Sequence, residues 1–282
     1  MQARPAQGMN GMPATPAPGR KPVAEIRPGV LRPNWSALTT DAGRDALAGR
    51  MAARSGLLDR WLHALDPDAD RMWQAVLRFY AAQGRPPGTD EIAATLRVPP
   101  ERAAALLRDL QQRDLVGLDP TSGTVTYAYP LAPDATGHQV WLGGRVLNAL
   151  CAIDALGIAE MFDADATVTA RCRSCGDTVT VSTAERGRVL RSVSPALSVV
   201  WYDFAYAGSA AASCCPHIAF FCSDQHLRDW LDGQRPPRVG ARLTMPEALE
   251  LGRAIFGPVM RAPERPDHDQ PLPREETIDG VP

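Results

Sequence analysis

The sequence predicts an α+β protein, with a winged-helix-like N-terminal domain followed by a mixed helix and strand core. Three observations carry this. Between residues 68 and 113 apolar residues recur at helical spacing in three successive segments, then alternate across a Gly-bearing turn. Beyond residue 140, short strand-like runs interleave with helical ones. All six cysteines lie between Cys151 and Cys222, which puts the chemistry in the second half.

Residues 1–40 are rich in Pro, Gly, Ala and Gln without apolar periodicity, the composition of a disordered extension. Short helical patterns at Asp41–Ser55 and Leu57–Leu65 fill residues 41–67. The winged-helix-like unit is expected over 68–135. Met72, Val76, Leu77 and Tyr80 form one helical stripe, and Pro86-Pro87-Gly88 ends it. Thr89 can cap a second helix that carries Asp90 and Glu91 in its first turn. Pro99 and Pro100 open a third, with Ala103, Leu106, Leu107 and Leu110 on its apolar face. A hairpin over residues 115–129 turns at Thr121-Ser122-Gly123. The core follows over 136–262, with a helix at Arg145–Leu156 and strands at Thr167–Cys172, Thr178–Ser182 and Leu197–Tyr202. An extended segment is expected at Cys215–Cys222, then helices at Asp224–Leu231 and Pro246–Phe256. Residues 263–282 read as a disordered tail.

Composition excludes several classes. The chain has 282 residues, 45% of them hydrophobic, enough for one or two real cores. The net charge of −2 gives no global basic field for nucleic acid or an anionic membrane. A winged helix suggests DNA binding, but residues 71–114 hold seven Arg against five Asp or Glu, so a scaffold role is favoured. No apolar run approaches the ~20 residues of a membrane span, and the N-terminus has no apolar signal region. The expected location is the cytoplasm. There, six cysteines read as reduced thiols for metal binding or catalysis rather than as disulfides.

Three cysteine-bearing segments carry the chemistry. On a helix, Leu147, Leu150, Cys151 and Asp154 share a face, and a buried Asp154 beside Cys151 would favour the protonated acid. The plainer reading is a cysteine serving as a small hydrophobe, with Asp154 at the helix rim. In a strand, the neighbours Cys214 and Cys215 point to opposite sides, so only one can join a given site. Cys172-Arg173-Ser174-Cys175-Gly176 has the spacing of a zinc knuckle. A structural zinc would need two further ligands, which Cys214, Cys215 or His217 could supply. Otherwise Cys172 is structural and Cys175 incidental.

With these segments in view, the second half resembles the alkylmercury lyases, also called organomercurial lyases. The matching pieces are LeuCysAlaIleAspAlaLeu at 150–156, AlaArgCys at 170–172 and CysCysProHisIleAlaPhePheCysSer at 214–223. AspTrp at 229–230 and GluAlaLeuGluLeuGly at 247–252 match as well. The family also carries a winged-helix-like domain before this core. The resemblance implies that Cys151 is the first mercury-binding cysteine, Asp154 the proton-handling aspartate, and Cys172 structural. Aligning from the cysteines makes Cys214 the second catalytic thiol. Aligning back from Phe220-Phe221 through His217 makes it Cys215, the preferred assignment. Leu150, Cys175 and the long N-terminal extension depart from the pattern.

The implied reaction takes a small organomercurial, breaks its carbon–mercury bond by protonolysis and needs no organic cofactor. It leaves Hg(II) held by Cys151 and Cys215 with Asp154 beside it. Cellular thiols or a mercuric reductase would remove that product. Two other classes fit parts of the sequence: a winged-helix regulator that senses a metal, and a non-catalytic, thiol-based metal-binding relative.

Overall fold

Residues 37–54 and 67–260 are described by the computed structural model, with two short paired strands, β1 (Ile26–Arg27) and β2 (Val30–Leu31). The helix expected at Leu57–Leu65 and the tail from residue 263 lie outside the described residues.

Helix α1 (Asp41–Ala52) is capped by Thr40, whose Oγ1 accepts from Gly43 N at 3.2 Å. The segment leading into it corrects the expectation of a structureless stretch to residue 40. Leu38 is 1% exposed, and Thr39 N and Thr40 Oγ1 donate to Glu250 Oε2 at 3.2 and 3.1 Å. Burial of one leucine and pairing to a carboxylate fix a segment whose composition alone carries no periodicity.

Three helices follow: α2 (Pro67–Gln83), α3 (Thr89–Leu96) and α4 (Pro100–Gln112). The expected stripes of α2 and α4 are buried. Pro100 opens α4 at a position where no intrahelical N–H is required. Strands β3 (Val116–Leu118) and β4 (Val125–Ala128) pair antiparallel, with Val116 opposite Ala128. The sheet then continues past residue 135. Strand β5 (Leu131–Ala132) pairs with β7 (Arg145–Ala149), which pairs with β6 (His138–Leu142). Strands β8 (Ala166–Arg171), β9 (Thr178–Ala184) and β10 (Val189–Ser194) complete an eight-stranded order β10-β9-β8-β6-β7-β5-β4-β3.

The helix expected at Arg145–Leu156 is corrected. Residues 145–149 are strand β7, and helix α5 spans Ala152–Met161. Gly143 and Gly144 have φ of 55° and 81° and join Leu142 to its partner Arg145. A two-residue loop with both residues at positive φ matches the right-handed strand twist, which is why two glycines there start a hairpin. Every residue of α5 is buried, so it is a core helix without a polar face.

Beyond the large sheet, β11 (Val199–Asp203) is buried along its length. It lies between β12 (Ala219–Phe221) and β13 (Gly240–Thr244) in a three-stranded sheet. Before β12 come a short helix α6 (Ala210–Ser213) and a 3-10 turn at Cys215–His217. The extended segment expected at Cys215–Cys222 is therefore strand only over 219–221. Pro216 has no N–H for a ladder and suits the turn instead. Helices α7 (Asp224–Asp232) and α8 (Met245–Phe256) follow, each with a side-chain N-cap, Ser223 and Thr244.

Helices α5 and α8 touch through glycines. A Cβ on Gly157 would lie 2.7 Å from Gly252 O and 2.6 Å from Phe256 Cδ2. Alanine would gain about 1 kcal/mol of helix propensity at an exposed site. Here a backbone oxygen blocks it, and overpacking costs about 1–3 kcal/mol. Gly157→Ala is expected to lower the thermal midpoint; an unchanged or higher midpoint would contradict this close approach.

Candidate active site

Two backbone facts bring distant cysteines together. Cys151 follows β7 after Leu150, in an extended conformation (φ −153°, ψ 178°), and is the N-cap of α5. Its Sγ accepts from Asp154 N at 3.5 Å, so thiol and aspartate sit in the first turn. Next to it, Ala152 N donates to Ile218 O at 3.2 Å, tying the start of α5 to the turn that carries Cys215. Cys151 Sγ, Cys215 Sγ and an Asp154 carboxylate oxygen consequently lie within 4.8 Å of one another. All three residues are buried. Helical periodicity would have placed Cys151 and Asp154 on one helix face; the cap geometry is what joins them.

Cys214 borders the trio without joining it, its thiol in side-chain contact with Cys215. Its Sγ contacts Ala210 O and Arg54 Nη2, each at 3.4 Å. Opposite strand faces do not separate the pair, because both cysteines lie in helical turns. Cys215 joins Cys151 and Asp154 within one mutually close group, and Cys214 is not part of it.

A cavity of about 80 Å³ adjoins the trio, lined also by Arg50, Arg54, Asp114 and Tyr202. Arg50 and Arg54 come from α1 and the turn after it, a region whose sequence gave no functional signal. Arg50 donates to Asp203 O at 2.5 Å and lies 4.9 Å from the centre of the Tyr202 ring. Arg54 lies 4.9 Å from the centre of the Tyr206 ring. Asp114 accepts from Ala210 N at 2.9 Å, which holds α6 beside the cavity.

Burial dominates the electrostatics. It lifts the Asp154 carboxyl from its usual 3.8 to about 7, although contact with Cys151 and the charge of Arg50 pull it down. One oxygen, Asp154 Oδ2, is buried without a hydrogen-bond partner among the described residues. Near neutral pH such a group can take up or give a proton. Burial also raises the Cys151 thiol, and contact with Cys151 together with burial raises Cys215 well above the usual thiol range. Burial thus favours the protonated form of both thiols, beside a carboxyl shifted toward neutrality.

The remaining cysteines form a separate group. Cys172, Cys175 and Cys222 meet His226, with their ligand atoms within 4.8 Å of one another. This corrects the partners expected for Cys172 and Cys175: none of Cys214, Cys215 and His217 is in the group. Cys222 and His226 were missed as partners, although their Cys-x-x-x-His spacing beside Cys-x-x-Cys is a recognisable pattern.

A family model for alkylmercury lyase matches residues 131–257. The alkylmercury lyase of Staphylococcus epidermidis is 31% identical over 177 residues, covering 62% of this chain and 76% of that protein. The alkylmercury lyase of Bacillus cereus is 28% identical over 170 residues, 59% of this chain and 72% of that protein. A crystal structure of the mercury-bound form of MerB2 superposes with a TM-score of 0.61 at 21% identity, covering 75% of this chain and 99% of that one. At that identity it speaks to the fold alone. The sequence relatives place this α+β chain in the alkylmercury lyase family.

Proposed function

We propose that the chain cleaves carbon–mercury bonds by protonolysis, with Cys151 and Cys215 as the mercury-binding thiols and Asp154 as the proton carrier. The observation that carries the proposal is the mutual approach, within 4.8 Å, of two buried thiols and a buried carboxyl. Mercury(II) is soft and prefers sulfur to oxygen or nitrogen donors, so the thiols are the groups to bind it.

In the overall reaction R–Hg–X and two thiols give R–H, a bis-thiolate of Hg(II) and HX. One thiol displaces X, and a proton leaves with X. The second thiol adds to mercury and weakens the bond to carbon. Its proton passes through Asp154 to the carbon as that bond breaks, the electron pair of the carbon–mercury bond forming the new carbon–hydrogen bond. Proton transfer by a positioned side chain contributes roughly 10²–10⁴-fold. Cellular thiols or a mercuric reductase would then take the Hg(II), in a reducing, cytoplasmic setting. No organic cofactor enters this scheme.

We also propose that the winged-helix-like unit, residues 68–135, acts as scaffold rather than as a DNA reader. Asp114, Leu115 and Tyr129 from this unit line the catalytic cavity, which supports that role.

The test is incubation with phenylmercuric acetate and excess thiol, with benzene measured by headspace gas chromatography. Benzene release with turnover is expected, and its absence from folded protein would contradict the proposal. Cys214→Ser is expected to keep turnover within about tenfold of wild type, a loss of no more than ~1.4 kcal/mol. Loss as severe as that of Cys215→Ser would move the second thiol to Cys214.

A further inference from the structure

We propose that Cys172, Cys175, Cys222 and His226 bind a structural zinc ion, separate from the mercury-binding trio. The four ligand atoms lie within 4.8 Å of one another. Cys175 Sγ is 3.8 Å from Cys222 Sγ, and Cys172 Sγ is 3.6 Å from His226 Nδ1. In a tetrahedral site with Zn–S of about 2.3 Å and Zn–N of about 2.0 Å, two sulfurs lie about 3.8 Å apart, and a sulfur and a nitrogen about 3.5 Å. Both recorded separations are therefore edges of a zinc-sized tetrahedron.

The backbone is arranged as such a site requires. Cys172 and Cys175 flank a tight turn in which Gly176 N donates to Cys172 O at 2.9 Å, with Gly176 at φ 80°. Backbone N–H groups point at the sulfurs: Cys222 N donates to Cys172 Sγ at 3.4 Å and Asp177 N to Cys175 Sγ at 3.5 Å. Hydrogen-bond donors of this kind, aimed at the ligand atoms, orient metal ligands. His226 stands in the first turn of α7, fixed by its N–H to Ser223 Oγ at 3.3 Å. Packing does not explain the group, because Cys175 is exposed and gains little there as an apolar side chain.

The four ligands come in two pairs from different parts of the fold. One pair sits at the β8–β9 tip of the large sheet, the other where β12 of the small sheet passes into α7. Arg173 N to Phe220 O, at 3.0 Å, is the direct backbone link between them. Zinc would clamp this junction, and β12 runs back through Ile218 to Cys215. The ion would thereby hold the strand that positions the second thiol, without touching substrate.

The experiment is elemental analysis of full-length protein expressed with zinc and passed over a chelating resin. One zinc per chain is expected. The Cys151→Ser/Cys215→Ser double variant should retain it, and Cys175→Ser or His226→Ala should lose it. Because those variants could fail to fold, wild-type apoprotein is also titrated with cobalt(II), and the intense visible bands of a tetrahedral cobalt–thiolate centre should saturate at one equivalent. Folded wild-type protein with less than a tenth of an equivalent of zinc and no such bands would overturn the proposal. Zinc that follows Cys151 and Cys215 instead would overturn it equally.

Discussion

Replacing either Cys151 or Cys215 with serine is expected to lower turnover of phenylmercuric acetate by on the order of a thousandfold or more, the scale seen when a group that must bond in the transition state is removed. Serine keeps nearly the same volume, so the buried cavity should survive, but it offers a hard oxygen where a soft ion needs sulfur. The two positions should be nearly equivalent in effect, and the double variant little worse than either single one, because the thiols act as a unit. Unchanged thermal unfolding in the single variants would separate chemistry from folding. Turnover within tenfold of wild type in a folded Cys215→Ser variant would remove Cys215 as the second thiol.

Asp154→Asn is expected to produce two effects of opposite sign. Activity should fall by roughly 10²–10⁴, the usual contribution of a positioned proton donor. Stability near pH 8 should rise. Burial lifts the folded-state carboxyl from 3.8 to about 7, so the folded protein holds a proton that the unfolded chain has released. A group raised in this way contributes stability below its unfolded value, and that contribution is lost as pH rises through the folded one. The interval between 3.8 and about 7 corresponds to about 4 kcal/mol at ~1.36 kcal/mol per pH unit, an upper bound for the buried charge. Asparagine carries no such cost. Its melting temperature should exceed that of wild type at pH 8, and the difference should vanish at pH 4 and below. A variant that is less stable at pH 8 would mean that the carboxylate is solvated or paired in the folded state.

The first half of the molecule was largely legible because its helices have a solvent side. In α2 and α4 the apolar stripes at positions 72–80 and 103–110 are the buried faces. The Gly-bearing turn also marked the β3–β4 hairpin correctly. Around Cys151 the same reasoning misled. Leu147, Leu150, Cys151 and Asp154 mimic helical spacing by coincidence, since Leu147 is in a strand and Cys151 is the residue that caps the next helix. The Gly143-Gly144 pair between two alternating runs was the stronger local signal. Helix α5 offers no periodicity to read, being buried on every side.

The pairing of Cys151 with Asp154 was legible, but for a different geometric reason than helix-face spacing. The preference for Cys215 over Cys214 came from alignment through His217 and Phe220, and the structure brings Cys215 to within 4.8 Å of the other two groups. Strand alternation did not predict that, because Pro216 sits in a turn. Arg50 and Arg54 could not be found from sequence. Their burial depends on contacts with Asp203, Cys214 and the rings of Tyr202 and Tyr206, all about 150 residues away along the chain.

The most direct measurement of the central claim is a single turnover in deuterated water without external thiol. Stoichiometric protein and phenylmercuric acetate should give one monodeuterated benzene per chain and retain one Hg(II), with two sulfur neighbours in the mercury X-ray absorption spectrum. Both should disappear in Cys151→Ser and Cys215→Ser. Folded wild-type protein that binds phenylmercury without releasing benzene, or benzene release that persists in both variants, would contradict cleavage at Cys151, Asp154 and Cys215.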